Sequence, residues 1–149
     1  MLIIYRFLTF VLYPLFIILI NLRVILKKED RTRYKEKIFS SAFNVNRSSN
    51  NKLIWFHAAS IGETLSILPL IDKINNYNKN IDYLITTVTL SSSTLIKDKI
   101  KKNKDINISH RFLPLDIDFL AEKFLNKWKP NMVCFVDSEI WPNFLFKIK

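Results

Sequence analysis

From Leu2 to Leu26 the chain is an almost unbroken apolar run, and Phe7 to Leu22 carry no charge. Arg6 stands near its beginning, and Arg23, Lys27, Lys28, Arg31, Arg33, Lys35 and Lys37 cluster at and after its end. This pattern predicts a membrane-anchor helix, because the whole run reaches the ~20 residues that cross a bilayer if Arg6 and Arg23 snorkel. A helix lying in the membrane interface is the main variant. The basic flank places the rest of the chain on the cytoplasmic side. No small-residue cleavage site follows the run and Pro14 interrupts it, which argues against a cleaved signal peptide.

Residues 40–52 are polar, rich in Ser and Asn and without periodicity, and read as a linker or loop between an anchor and basic segment at 1–39 and a folded domain at 53–149. From there apolar runs alternate with helical spacing. Strands are predicted at Leu53–Phe56, Tyr83–Thr87, around Ile106–Leu113 and at Met132–Val136. Helices are predicted at Gly62–Tyr77 and Ser92–Lys102 and around Ile117, Leu120, Phe124 and Leu125. This order argues for an α/β fold with a Rossmann-like parallel sheet. Trp55 and Trp128 fall at core positions of a strand and an amphipathic helix.

Composition narrows the chemistry. The hydrophobic share of 49% is enough for a core, and the net charge of +10 points to an anionic partner, although Lys, Asn and Ile are abundant throughout. The aromatics lie in apolar runs rather than between cations, which argues against nucleic acid. The single cysteine, Cys134, sits in Met132-Val133-Cys134-Phe135-Val136 and reads as a buried small hydrophobe in a reducing compartment. Gly62 is the only glycine, so neither a P-loop nor a dinucleotide-binding glycine fingerprint is present.

Open α/β sheets bind ligands beyond the carboxyl ends of their strands, and polar clusters follow the first, second and last predicted strands. After the first comes His57-Ala58-Ala59-Ser60-Ile61-Gly62-Glu63, in which Ser60 and Glu63 match the S-x-x-E capping box. Spacing leaves Glu63 two readings: a helix cap, or a carboxylate placed to take a proton from a reacting hydroxyl. After the second strand, Thr86 to Thr94 reads either as a helix cap or as a wall of hydroxyls, among them Thr87, Thr89 and Ser91, for sugar or phosphate oxygens. After the last comes Asp137-Ser138-Glu139-Ile140-Trp141-Pro142-Asn143, a capped loop or part of a site. His57 closes a buried strand as a structural residue or as a base, and His110 lies in a polar stretch with no special claim.

Taken in order, five of these stretches resemble the 3-deoxy-D-manno-octulosonate (Kdo) transferase family. They are Arg33-Tyr34-Lys35-Glu36-Lys37 after the apolar start, Trp55 to Glu63, Ile85-Thr86-Thr87-Val88-Thr89, Phe112-Leu113-Pro114-Leu115-Asp116, and Asp137 to Asn143. The resemblance implies the amino-terminal domain of a GT-B glycosyltransferase on the cytoplasmic face of the inner membrane, with CMP-Kdo as donor and a lipid A precursor as acceptor. It implies neither cofactor nor metal. It gives Glu63 the catalytic base's position and Glu139 that of a second acid in the cleft, with Ser60, Gly62, Thr87, Thr89 and Ser91 as candidate cleft or acceptor-binding residues. Asp137 stands where the family commonly has Glu, and the usual Gly after the basic motif is missing. By the same resemblance the donor domain is expected outside these 149 residues, which alone should transfer no sugar. The competing reading is a non-catalytic, membrane-tethered α/β module that binds an anionic partner.

Overall fold

The computed structural model describes residues 1–43, 45, 51–102, 105–136 and 140–148. In chain order the elements are α1 (Leu2–Val11), α2 (Tyr13–Ile25), α3 (Lys35–Ile38), a 3-10 turn (Ser40–Ala42), β1 (Lys52–His57), α4 (Ile61–Tyr77), β2 (Ile81–Thr87), α5 (Leu90–Lys102), β3 (Ile108–Phe112), α6 (Asp118–Trp128), β4 (Met132–Phe135) and α7 (Pro142–Lys147). The chain divides into two compact units. One gathers Met1–Asn44, Pro114–Trp128 and Ile140–Lys149, and the other Val45–Leu113 and Lys129–Glu139. The expected linker ends in the 3-10 turn at one side and β1 at the other, while residues 44 and 46–50 lie outside the described residues.

The second unit is a four-stranded, wholly parallel sheet in the order β3-β2-β1-β4, the arrangement of a Rossmann-like half. Side chains alternate across it. On one face Phe56, Ala58, Tyr83, Ile85 and Ile108 join Ile67 and Ile71 of α4 and Ile96 of α5 in a buried core. Cys134 is only partly buried against this cluster, because β4 is an edge strand with a neighbour on one side. The opposite face carries Trp55, His57, Leu84 and Thr86, all with no exposed surface.

The first unit is helical. Phe124 of α6 meets the rings of Phe43 at 5.5 Å and Phe144 of α7 at 5.8 Å, while Ile38, Leu120, Ala121 and Trp128 are fully buried. The apolar start is not the one helix the sequence predicts. It is two, bent by 54° around Leu12, and neither alone is long and apolar enough to cross a membrane. Pro14 accounts for the break, since it lacks the N–H that would continue the ladder and its ring crowds the preceding turn. At the other end of α2 the Lys28 N–H donates to the Arg23 carbonyl and the Lys27 N–H to that of Val24. This is a Schellman ending, with Lys27 at φ 58° in the left-handed position that favours glycine.

Candidate functional site

The strand order locates the crevice. From β1 the chain builds outward through β2 to β3, then returns to the other side of β1 for β4, so the order reverses between β1 and β4. Such a switch point parts the loops at the carboxyl ends of its two strands and opens a ligand site. Here the β1 loop is His57 to Ser60. The β4 loop begins at Val136, whose N–H donates to the His57 carbonyl at 2.9 Å. Asp137 and Glu139, which the sequence places next, lie outside the described residues.

The capping box forms with one displacement. Ser60 is the extended N-cap of α4, and its Oγ accepts the Glu63 N–H at 3.2 Å. Glu63 folds back, but Oε2 accepts the N–H of Ala59 at 2.8 Å, one residue before the N-cap itself. The carboxylate is therefore clamped over the mouth of β1 rather than over its own helix turn. It is half-buried, and its second oxygen has no hydrogen bond among the described residues. The capping reading of Glu63 thus holds, with its return bond going to Ala59.

Gly62 stands beside it on the exposed first turn. Its φ is not positive, and a Cβ added there would have Ser60 Oγ, at 4.0 Å, as its nearest neighbour. The fold does not require this glycine, and glycine inside a helix costs about 1 kcal/mol relative to alanine. What it leaves is open ground above the helix start.

Behind this turn His57 is sealed. Its Nδ1 lies 2.9 Å from Thr86 Oγ1 and 3.2 Å from the Thr86 carbonyl oxygen, and the Trp55 indole N–H donates to the same Oγ1 at 2.8 Å. Burial outweighs the favourable Thr86 carbonyl and the nearby Glu63 charge and pulls the imidazole down to about 4. His57 is neutral at pH 7 and holds β1 to β2, in line with its structural reading.

The second cluster divides. Thr87 is fully buried and its Oγ1 lies 2.9 Å from His110 Nε2 of β3, so its hydroxyl is occupied inside the sheet. Thr89 is exposed; its Oγ1 accepts the Ser92 N–H at 3.3 Å and lies 2.8 Å from Ser92 Oγ, capping α5. Ser91 is exposed on the first turn of α5. Of the hydroxyls the sequence brings together, Thr89 and Ser91 face outward and Thr87 does not. His110, only 5% exposed, is a structural partner that the polar run around it conceals.

The first unit holds a polar hub that no local signal could reveal. Asp116 accepts the Tyr5 hydroxyl at 2.8 Å and the backbone N–H groups of Asn143 and Phe144 at 3.1 Å each. Asn143 Nδ2 donates to the Asp116 carbonyl at 2.7 Å. Burial pushes the Asp116 carboxyl above its usual range, while these donors pull it back. The hub joins the Pro114-Leu115-Asp116 and Trp141-Pro142-Asn143 stretches and caps α7. Its partners are separated by up to 111 positions in the chain, so only the tertiary fold brings them together.

Among the described residues no group of three or more His, Cys, Asp or Glu side chains is placed to hold a metal ion.

Known proteins match most of this chain. A family model described as 3-deoxy-D-manno-octulosonic-acid transferase (kdotransferase) matches residues 31–149. A 3-deoxy-D-manno-octulosonic acid transferase of Rickettsia bellii (strain RML369-C) is 38% identical over 138 residues, covering 93% of this chain and 31% of the relative. A probable mitochondrial 3-deoxy-D-manno-octulosonic acid transferase of Arabidopsis thaliana is 33% identical over 141 residues, 95% of this chain and 30% of its own length. A transferase of the same name from Haemophilus influenzae (strain ATCC 51907 / DSM 11121 / KW20 / Rd) is 28% identical over 95 residues, 64% of this chain and 21% of its own. The chain thus spans about a third or less of these relatives. With the family model over most of its residues and a parallel sheet of the expected kind beneath it, the chain belongs to the 3-deoxy-D-manno-octulosonic-acid transferase family.

Proposed function

We propose that the protein acts in lipopolysaccharide biosynthesis as a metal-independent GT-B glycosyltransferase, moving Kdo from CMP-Kdo to a lipid A precursor at the cytoplasmic face of the inner membrane. The described sheet unit forms part of the acceptor side. One observation carries the reading: at the switch point of the sheet, Glu63 is held by the Ala59 N–H through Oε2, and its second oxygen has no hydrogen bond among the described residues. A hydroxyl of the acceptor disaccharide attacks the anomeric carbon of Kdo while Glu63 takes its proton, and the bond to CMP breaks with the electron pair leaving on the phosphate. Thr89 and Ser91 stand ready to hydrogen-bond acceptor oxygens, and Glu139 serves as a second acid in the cleft.

The test is transfer by the protein at its full natural length, with CMP-Kdo and tetraacylated lipid A precursor in detergent. Kdo-bearing lipid is the expected product. Binding of the acceptor with no transfer under any condition would instead establish a non-catalytic module.

A further inference from the structure

We propose that α1 and α2 lie flat in one leaflet of an anionic phospholipid bilayer, as a bent in-plane pair, rather than crossing the membrane. This goes beyond the transfer reaction and does not depend on it. Both ends of the apolar run are bonded to the same folded unit. Near the beginning, Arg6 Nε lies 2.9 Å from Asp118 Oδ1 and Tyr5 donates its hydroxyl to Asp116. At the end, Arg23 Nε lies 2.8 Å from Glu29 Oε1 and Lys37 Nζ 2.6 Å from Glu29 Oε2, and the Lys37 carbonyl in turn accepts the Leu115 N–H at 2.9 Å. In between, Tyr13 donates to the Ile38 carbonyl and sets its ring edge-on to Phe119 at 5.3 Å, and Ile20 is buried. A segment whose two ends are held by one soluble unit cannot place those ends on opposite sides of a bilayer. At 1.5 Å per residue α1 and α2 are also roughly 15 and 20 Å long, each short of the ~30 Å hydrocarbon core.

The exposure pattern agrees along the whole pair. Tyr5, Arg6, Thr9, Tyr13, Ile17 and Ile20, at helical spacing, are buried or half-buried, whereas Ile4, Phe7, Val11, Leu15, Ile18 and Leu22 are exposed. A continuous apolar face of this extent is more than a soluble protein ordinarily leaves in water. The charge beside it identifies the cover. In the segment after α2 the acids are already engaged: buried Glu29 is bound by Arg23 and Lys37, buried Glu36 by Arg33, and half-buried Asp30 accepts backbone N–H groups of Thr32 and Arg33. Lys27, Lys28, Arg31 and Lys35 remain exposed, Lys27 in a backbone position that favours glycine. An apolar face edged by cations matches acyl chains beneath anionic headgroups.

The test places an environment-sensitive fluorophore, through a single introduced cysteine in a Cys134→Ser background of the intact protein, at Ile4, Leu15 or Ile25, all on the open face. The protein is added to the outside of preformed vesicles of phosphatidylglycerol and phosphatidylcholine, and depth is read with spin-labelled lipids. The expected result is one shallow depth at all three positions, each quenched from the outer leaflet. A deep probe at Leu15 with the Ile4 probe shielded from outside reagents would mean a spanning segment and overturn the proposal, as would failure to bind vesicles or self-association that covers the face instead. A second arm uses Lys27→Gly with Lys28→Ser, which relaxes the backbone and should fold at least as well. Its binding to the anionic vesicles should weaken about tenfold or more. Equal binding to vesicles of phosphatidylcholine alone would refute the headgroup half of the proposal.

Discussion

Replacing Glu63 by Gln separates the cap that Glu63 forms in the structure from the proton-accepting role proposed for it. The capping bond runs from the Ala59 N–H to Oε2, and the carboxamide oxygen of Gln can accept it in the same place. The Ser60 Oγ bond to the residue 63 N–H is untouched. What the helix loses is a negative charge near its positive end, worth roughly 0.3–1 kcal/mol. Glu63→Ala also leaves the half-buried Ala59 N–H without its acceptor, which adds about 1–2 kcal/mol. Denaturant unfolding should therefore place the Gln variant within ~1 kcal/mol of wild type and the Ala variant roughly 1–3 kcal/mol below it. Turnover follows a different order. A carboxamide cannot take the proton from the attacking hydroxyl, so both variants should lose ~10²-fold or more in transfer measured with CMP-Kdo and the lipid acceptor. Near-normal turnover by Glu63→Gln would leave the residue only its structural role, and Glu139→Gln would be the next substitution to assay.

Gly62→Ala should raise unfolding stability by up to ~1 kcal/mol, since the added methyl meets nothing closer than Ser60 Oγ at 4.0 Å, yet should raise the KM for acceptor if the acceptor passes over this turn; unchanged kinetics would free the glycine of any function. His57 is neutral in the fold and titrates near 4, whereas in the unfolded chain it protonates near 6.5, so the stability it contributes is complete above about pH 6.5 and falls as pH drops toward 4, by at most roughly 3 kcal/mol. Comparing unfolding free energies of wild type and His57→Gln at pH 7 and pH 5 tests this, and parallel pH dependence would contradict it. Tyr5→Phe removes one hydrogen bond from the Asp116 hub and should cost about 1 kcal/mol, while Asp116→Asn turns an amide N–H toward donors and should cost about 1–3 kcal/mol; equal effects in thermal unfolding would show that the hub does not act through Asp116.

The elements were legible because their signals are local. Short runs such as Leu53–Phe56 and Tyr83–Thr87 mark strands and their alternation with helical spacing a parallel sheet, and the four strands and the helices between them lie within a few residues of their predicted places. The helix start at Ser60 was written in the capping spacing, and Glu63 with it, though spacing could not tell that its bond would shift to Ala59. Family membership was legible too, in motifs whose order survives through most of the chain.

Three matters were decided only by the fold. Crossover connections leave a strand's neighbour open, so nothing in β4 itself states that it lies beside β1 and turns that edge into the switch point. A row of hydroxyls does not say which are buried: Thr87 Oγ1 pairs with His110 Nε2 across 23 positions inside the sheet, while Thr89 caps α5 at the surface and Ser91 is exposed on its first turn. The apolar start posed the deepest ambiguity. Leu2 to Leu26 is apolar nearly all round, and apolar side chains satisfy lipid and protein interior equally, so composition cannot say which side is covered by what. The distant partners of Tyr5, Arg6 and Tyr13 decide it: hydrogen bonds and ion pairs are directional where the hydrophobic effect is not, and they fix one face of the pair to the protein and leave the other open.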